Sequence, residues 1–138
     1  MKSVDELYLA EVANFQDHLG NLTVFERQIN LSAGIERVFV VSGSQGAVRG
    51  KHAHKQLTQV LACLHGECKI ICDDGDSRRE FELTESNQVL RVPPGIWAEQ
   101  TYIQEGTVLM VLCDLPYDES DYIRNYDEFL RYRKGVKG

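Results

Sequence analysis

The sequence predicts an all-β fold, a small sandwich or barrel of antiparallel strands followed by one short C-terminal helix. Three observations predict it. Short runs rich in Val, Ile, Leu and Phe recur between Gly, Asp, Asn and Pro punctuation along most of the chain. Asp73-Asp74-Gly75-Asp76 and Glu105-Gly106 separate such runs in the way hairpin turns do, because glycine takes positive φ without strain. Only the tail, from about Asp121 to Lys134, spaces its apolar residues as a helix does, at Tyr122, Tyr126, Phe129 and Leu130.

In chain order the expected strands are Leu22–Gln28, Ile35–Val41, Thr58–Leu64, Glu67–Cys72, Arg78–Leu83, Gln88–Val92, Ala98–Ile103 and Thr107–Cys113. With 138 residues and no linker, repeat or low-complexity stretch, the chain is expected to form one domain over 1–138. A net charge of −6 argues against nucleic acid as the main partner. No apolar run reaches membrane-spanning length, and the start Met1-Lys2-Ser3-Val4-Asp5-Glu6 is acidic where a secretory signal is basic, so a cytoplasmic protein with no membrane partner is expected. Cys63, Cys68, Cys72 and Cys113 lie in apolar segments without a C-x-x-C pair, which favours buried reduced thiols over zinc or redox chemistry.

The chemistry sits in one motif. Gly46, five residues, His52-x-His54, four residues, Gln59, six residues and Gly66 reproduce the spacing of the first cupin motif, with Gln where metal-binding members carry Glu. Pro93-Pro94-Gly95-Ile96-Trp97-Ala98 matches the second motif except that Ala98 stands at its histidine. The resemblance implies a cupin (jelly-roll) barrel. Two imidazoles and a neutral amide are too few donors for a mononuclear metal site, so no metal is expected. Residues two apart on a strand share a face, so if this stretch is a strand His52 and His54 lie side by side in the interior. Imidazole suits proton transfer near neutral pH, and Arg49, Lys51 and Lys55 are expected to favour the neutral base form. The alternative is a pair of ordinary surface strand histidines, which the flanking glycines and the Pro-Pro-Gly turn oppose. His65 reads as a solvated turn residue.

Further blocks carry a narrower resemblance. Ile35-Glu36-Arg37-Val38, Arg49-Gly50-Lys51-His52-Ala53-His54-Lys55, Val92-Pro93-Pro94-Gly95-Ile96-Trp97 and the run from Tyr117 to Phe129 are similar to the nucleotide-sugar 3,4-ketoisomerases, cupin enzymes acting on dTDP-4-keto-6-deoxyglucose in deoxysugar biosynthesis. That resemblance implies an isomerase with His52 and His54 as its acid-base apparatus, no cofactor, a nucleotide-linked keto sugar as partner, and a homodimer. Arg37, Arg49 and Lys55 are candidates for the diphosphate and the developing oxyanion. Trp97 is a candidate stacking platform or a core residue. Gln59 is placed to hydrogen-bond a sugar hydroxyl or to orient a histidine. Ala98 stands where the family has a basic residue near the sugar, and His18 is a candidate to replace it if the N-terminal segment folds across the mouth. Phe39-Val40 replaces a Tyr-Tyr pair. A catalytically silent sugar-binding cupin, and a C3/C5 epimerase of the same superfamily, are the competing readings.

Overall fold

The computed structural model describes residues 1–26 and 34–137. Twelve strands are present among them: β1 Leu9–Glu11, β2 Asn14–Asp17, β3 Gly20–Thr23, β4 Arg37–Gly43, β5 Val48–His54, β6 Gln59–His65, β7 Cys68–Asp73, β8 Arg78–Leu83, β9 Gln88–Val92, β10 Trp97–Tyr102, β11 Thr107–Cys113 and β12 Tyr122–Ile123, followed by α1 Tyr126–Lys137. They form two five-stranded antiparallel sheets, β1-β9-β6-β11-β4 and β12-β5-β10-β7-β8, and a separate β2-β3 hairpin. The expected barrel takes the form of a jelly-roll sandwich, its two sheets packed face to face. The end of the expected strand Leu22–Gln28 lies outside the described residues.

Alternation along each strand decides what faces inward. Leu61, Cys63, Leu90, Val92, Leu109, Val111 and Cys113 from one sheet meet Cys68, Ile70, Cys72, Leu83, Ala98 and Tyr102 from the other. Burying each large aliphatic or aromatic side chain there stabilises the fold by roughly 1.5–3 kcal/mol. All four cysteines are free and buried, and burial pushes Cys63 up to about 11 and Cys68 and Cys72 to about 12, so they pack as hydrophobes.

The outer face of the second sheet is covered by α1, where Phe129 packs on Ala53, Trp97 and Ile123. This helix begins later than the sequence predicts. Tyr122 and Ile123 pair instead with His54 and Ala53, and Asn125 then caps the helix by accepting a hydrogen bond from the Glu128 amide at 3.0 Å. The hairpin turn between β7 and β8 forms as expected, and its aspartates also tie the chain ends together. Asp73 accepts from Arg78 Nε and from the Tyr126 hydroxyl, both at 2.7 Å, and Asp74 accepts from the Val4 amide at 2.8 Å.

Candidate active site

β5 carries the imidazole pair, and it is not a regular strand. Its pairing with β10 shifts between Ala98 and Glu99: Ala98 faces His52, Glu99 faces Gly50 and Gln100 faces Arg49, which leaves Lys51 as the extra residue of a β-bulge. Gly50 and Lys51 both have positive φ, at 88° and 50°. Directly paired residues share a face. The bulge therefore places Arg49, which remains exposed, on the same face of the sheet as Gln100, His52 and Ala98, although simple alternation would put it on the other.

His52 Nδ1 lies 2.7 Å from the Gly50 carbonyl oxygen. A carbonyl only accepts, so Nδ1 carries the proton and Nε2 keeps a free lone pair. The His54 ring meets His52 edge-on at 4.9 Å between centroids, and Tyr122 packs against both, at 5.0 Å from His52 and 4.3 Å from His54. His54 is 5% exposed, and neither of its ring nitrogens has a hydrogen-bond partner. Burial holds His52 below the usual imidazole value, opposed by its bond to Gly50 and aided by Arg124. Burial, then His52, Arg124 and Arg37, bring His54 down to about 3. Both rings are neutral bases near pH 7, as the sequence predicts, but the cations responsible are Arg124 and Arg37, not Arg49, Lys51 and Lys55.

The facing sheet supplies a second row. Arg37 on β4 pairs with Cys113 on β11, Cys113 with Gln59 on β6, and Gln59 with Val92 on β9. Gln59 is buried beside Cys113. The Arg37 guanidinium stands 4.7 Å over the Phe39 ring and 5.2 Å over Tyr117, and its Nη1 is buried without a partner. Among the described residues, three of the five buried side-chain nitrogens and oxygens without a partner belong to Arg37 and His54. Unpaired buried polar atoms cost about 1–3 kcal/mol each, so their concentration at Arg37 and His54 sets this site apart from the rest of the interior.

The segment between β11 and β12 borders these side chains, with Tyr117 against Arg37 and Tyr122 against His54. Glu119 accepts from Arg124 Nε at 2.7 Å and Nη2 at 2.9 Å and from the Tyr117 hydroxyl, which holds its carboxyl down to about 2. Arg124 in turn stacks 4.2 Å over Tyr122. Asp121 Oδ2 lies 3.5 Å from His54 Nδ1. An open cavity of about 460 Å³ adjoins the loop, lined by Lys55, Gln56, Tyr117, Asp118, Ser120 and Asp121 among others. The sequence signal for this loop is its dense run of Tyr, Asp, Glu and Arg, too polar for a core strand.

The structure thus gathers His52, His54, Arg37, Arg49, Gln59 and Ala98 at the inner faces of the two sheets, with Lys55 at the neighbouring cavity. It does not bring Trp97 or His18 there. Trp97 points to the opposite face of β10, beneath α1, where its Nε1 donates to Glu99 at 3.1 Å, so it is a core residue. His18 is exposed at the β2-β3 turn, and that hairpin is tied to Ser86 before β9, whereas the imidazoles lie at the far end of β9, where the Gly95 amide bonds the His54 carbonyl. Within this chain the N-terminal hairpin does not cross the pocket mouth.

Among the described residues no group of three or more His, Cys, Asp or Glu side chains is gathered to hold a metal ion. Fold and site together define a small cupin-type jelly roll with a neutral imidazole pair on the inner face of one sheet and Arg37 on the facing sheet. The family model described as "FdtA: WxcM-like, C-terminal" matches residues 5–134. A TDP-4-oxo-6-deoxy-alpha-D-glucose-3,4-oxoisomerase of Aneurinibacillus thermoaerophilus is 41% identical over 126 residues, 88% of this chain and 91% of that protein. QdtA, a sugar 3,4-ketoisomerase of Thermoanaerobacterium thermosaccharolyticum solved with TDP, superposes with a TM-score of 0.89 at 36% identity, over 96% of this chain and 98% of QdtA. A histidine-to-asparagine variant of QdtA, solved with TDP-4-keto-6-deoxyglucose, matches with a TM-score of 0.87 at 36% identity, over 94% of each chain. The chain belongs to the FdtA family.

Proposed function

We propose that this protein is a TDP-sugar 3,4-ketoisomerase that moves the keto group of a TDP-4-keto-6-deoxyhexose from C4 to C3. The observation that carries the reading is the His52–Gly50 hydrogen bond, which fixes the half-buried imidazole of a neutral pair as a base with Nε2 free. In the proposed reaction Nε2 of His52 takes the C3 proton, and the C3–H electrons form a C3=C4 double bond with negative charge on O4. His54 passes the hydroxyl proton from O3 to O4, and protonated His52 then delivers a proton to C4, leaving the ketone at C3. Positioned proton transfer contributes about 10²–10⁴-fold, and Arg37 stabilises the enediolate. Arg49, placed on the His52 face by the bulge, and Lys55 are assigned to the diphosphate.

No metal or cofactor is needed in this scheme, because proton movements alone balance it, and Gln59 and Ala98 stand where metal-binding cupins have ligands. A silent binding protein is the less favoured reading, because the catalytic imidazoles are retained in a buried, neutral arrangement. The four reduced buried cysteines support a cytoplasmic location. No helix among the described residues is long and apolar enough to cross a membrane.

The test is turnover of TDP-4-keto-6-deoxyglucose by His52→Asn and His54→Asn, with and without chelator. Each variant is expected to fold and to lose on the order of 10²-fold or more in kcat, since an amide cannot carry the proton, and chelator is expected to leave the wild-type rate unchanged. Folded variants near the wild-type rate, or a loss confined to KM, contradict the assignment.

A further inference from the structure

Asp121 has no role in the reaction as written above, yet its carboxylate is the acidic group set against the buried ring of His54. It sits at the end of a short 3-10 turn, Glu119–Asp121, immediately before β12. Its oxygens are held by main-chain donors: the Gln56 amide bonds Oδ1 at 2.8 Å and the Leu57 amide bonds Oδ2 at 3.1 Å, while the Asp121 carbonyl accepts from the Lys55 amide at 3.0 Å. The turn that follows the imidazole strand is therefore built around this side chain. Oδ2 retains accepting capacity beyond its one amide, and 3.5 Å away stands His54 Nδ1, buried and without any hydrogen-bond partner. At 3.5 Å this is an ion-pair distance and not yet a hydrogen bond.

The surroundings show why His54 needs such a partner. His52 on the same strand, Arg124 from the loop and Arg37 from β4 all oppose a positive charge on His54. Glu119 favours it, but that carboxylate is already engaged by Arg124 and the Tyr117 hydroxyl. Tyr122 covers the ring and brings no charge of its own. Without a fixed tautomer, a neutral imidazole can present either N–H or lone pair to the pocket.

We propose that Asp121 is the positioning residue of His54: its carboxylate accepts the Nδ1 proton, fixes the Nδ1–H tautomer and leaves Nε2 as the nitrogen that moves the hydroxyl proton. The role of Nε2 in turnover rests on the isomerase reading; the tautomer does not. The structural alternative is a carboxylate that only staples the turn.

The experiment is ¹⁵N NMR of the histidine ring nitrogens in the full-length wild type, with His54→Asn used to assign the signals, together with Asp121→Asn. Wild-type His54 is expected to be protonated at Nδ1 and unprotonated at Nε2. Asp121→Asn is expected to lose that preference, to drop kcat about 10²-fold with little change in KM, and to alter the pH profile of kcat. Wild-type His54 protonated at Nε2 overturns the proposal, and this measurement decides it even if Asp121→Asn fails to fold. A folded Asp121→Asn that keeps the Nδ1–H tautomer, or that changes tautomer at unchanged kcat, overturns it as well. An inactive wild type with the expected tautomer sinks the isomerase reading and leaves the Asp121–His54 pair standing.

Discussion

His52 and His54 are chemically alike and structurally different, and the difference lies in what each ring nitrogen meets. His52 has its tautomer set by the Gly50 carbonyl, while His54 is held neutral by burial and by cations on two elements. Both folded values lie below the ordinary value of about 6.5, so two pH dependences follow. The neutral base form of His52 survives acidification below 6.5, and the acid limb of kcat/KM is expected at a pH lower than that; a limb at or above 6.5 contradicts a depressed His52. For stability, the unfolded chain binds protons that folded His54 refuses. Its contribution is intact above pH 6.5 and is lost as pH falls from 6.5 toward about 3. Thermal melts between those limits should show wild type losing stability with acid more steeply than His54→Asn. The pair itself was legible in the sequence, because H-x-H on a strand admits one geometry. The residues that tune it were not, since Arg37 and Arg124 reach His54 from segments far away in the chain.

At the scale of elements, the bulge in β5 is the feature on which the site depends. It places Arg49 and His52, three residues apart, on one face, and it aims the Gly50 carbonyl at His52 Nδ1. Gly50 has φ of 88°, and a Cβ there meets the Gln100 side chain at 3.0 Å and the Ala98 carbonyl at 3.1 Å. Gly50→Ala is therefore expected to cost about 1–2 kcal/mol in denaturant unfolding and to lower kcat by disturbing the His52 bond. A variant with wild-type stability and rate shows that the bulge is not required. Strand positions for most of the sandwich were legible, with Arg78–Leu83, Gln88–Val92 and Thr107–Cys113 matching residue for residue. The short strands β1, β2 and β12 were not, because two to four residues carry no periodicity and are made strands by their neighbours, and neither was β5, whose polar Val48–His54 run is interrupted by the bulge at Gly50 and Lys51. Trp97 illustrates the same limit: its sequence position after a Pro-Gly turn fits a ligand platform or a core, and only the packing of Phe129 against it decides.

At the scale of the whole molecule, the sheet ending in β4 presents a free seven-residue edge among the described residues, with Val38 51% and Val40 55% exposed. The β2-β3 hairpin adds exposed Phe15, Leu19 and Leu22. An unpaired apolar edge invites another strand, and we propose a homodimer formed along β4. Sedimentation equilibrium should give twice the chain mass for the wild type and a shift toward monomer for Val40→Glu; a monomeric wild type refutes the dimer. The fold class was legible as a whole because spacing motifs and hairpin turns agree with each other. The central claim, proton transfer between C3 and C4 of a bound keto sugar, is tested most directly by ¹H NMR of TDP-4-keto-6-deoxyglucose incubated with the wild type in D₂O. Loss of the C3–H signal is expected with appearance of the 3-keto isomer, whose C4 carries the hydrogen handed over by His52, or deuterium to the extent that protonated His52 exchanges with D₂O before delivery. A sugar that binds but keeps its C3 proton and yields no 3-keto isomer contradicts that claim.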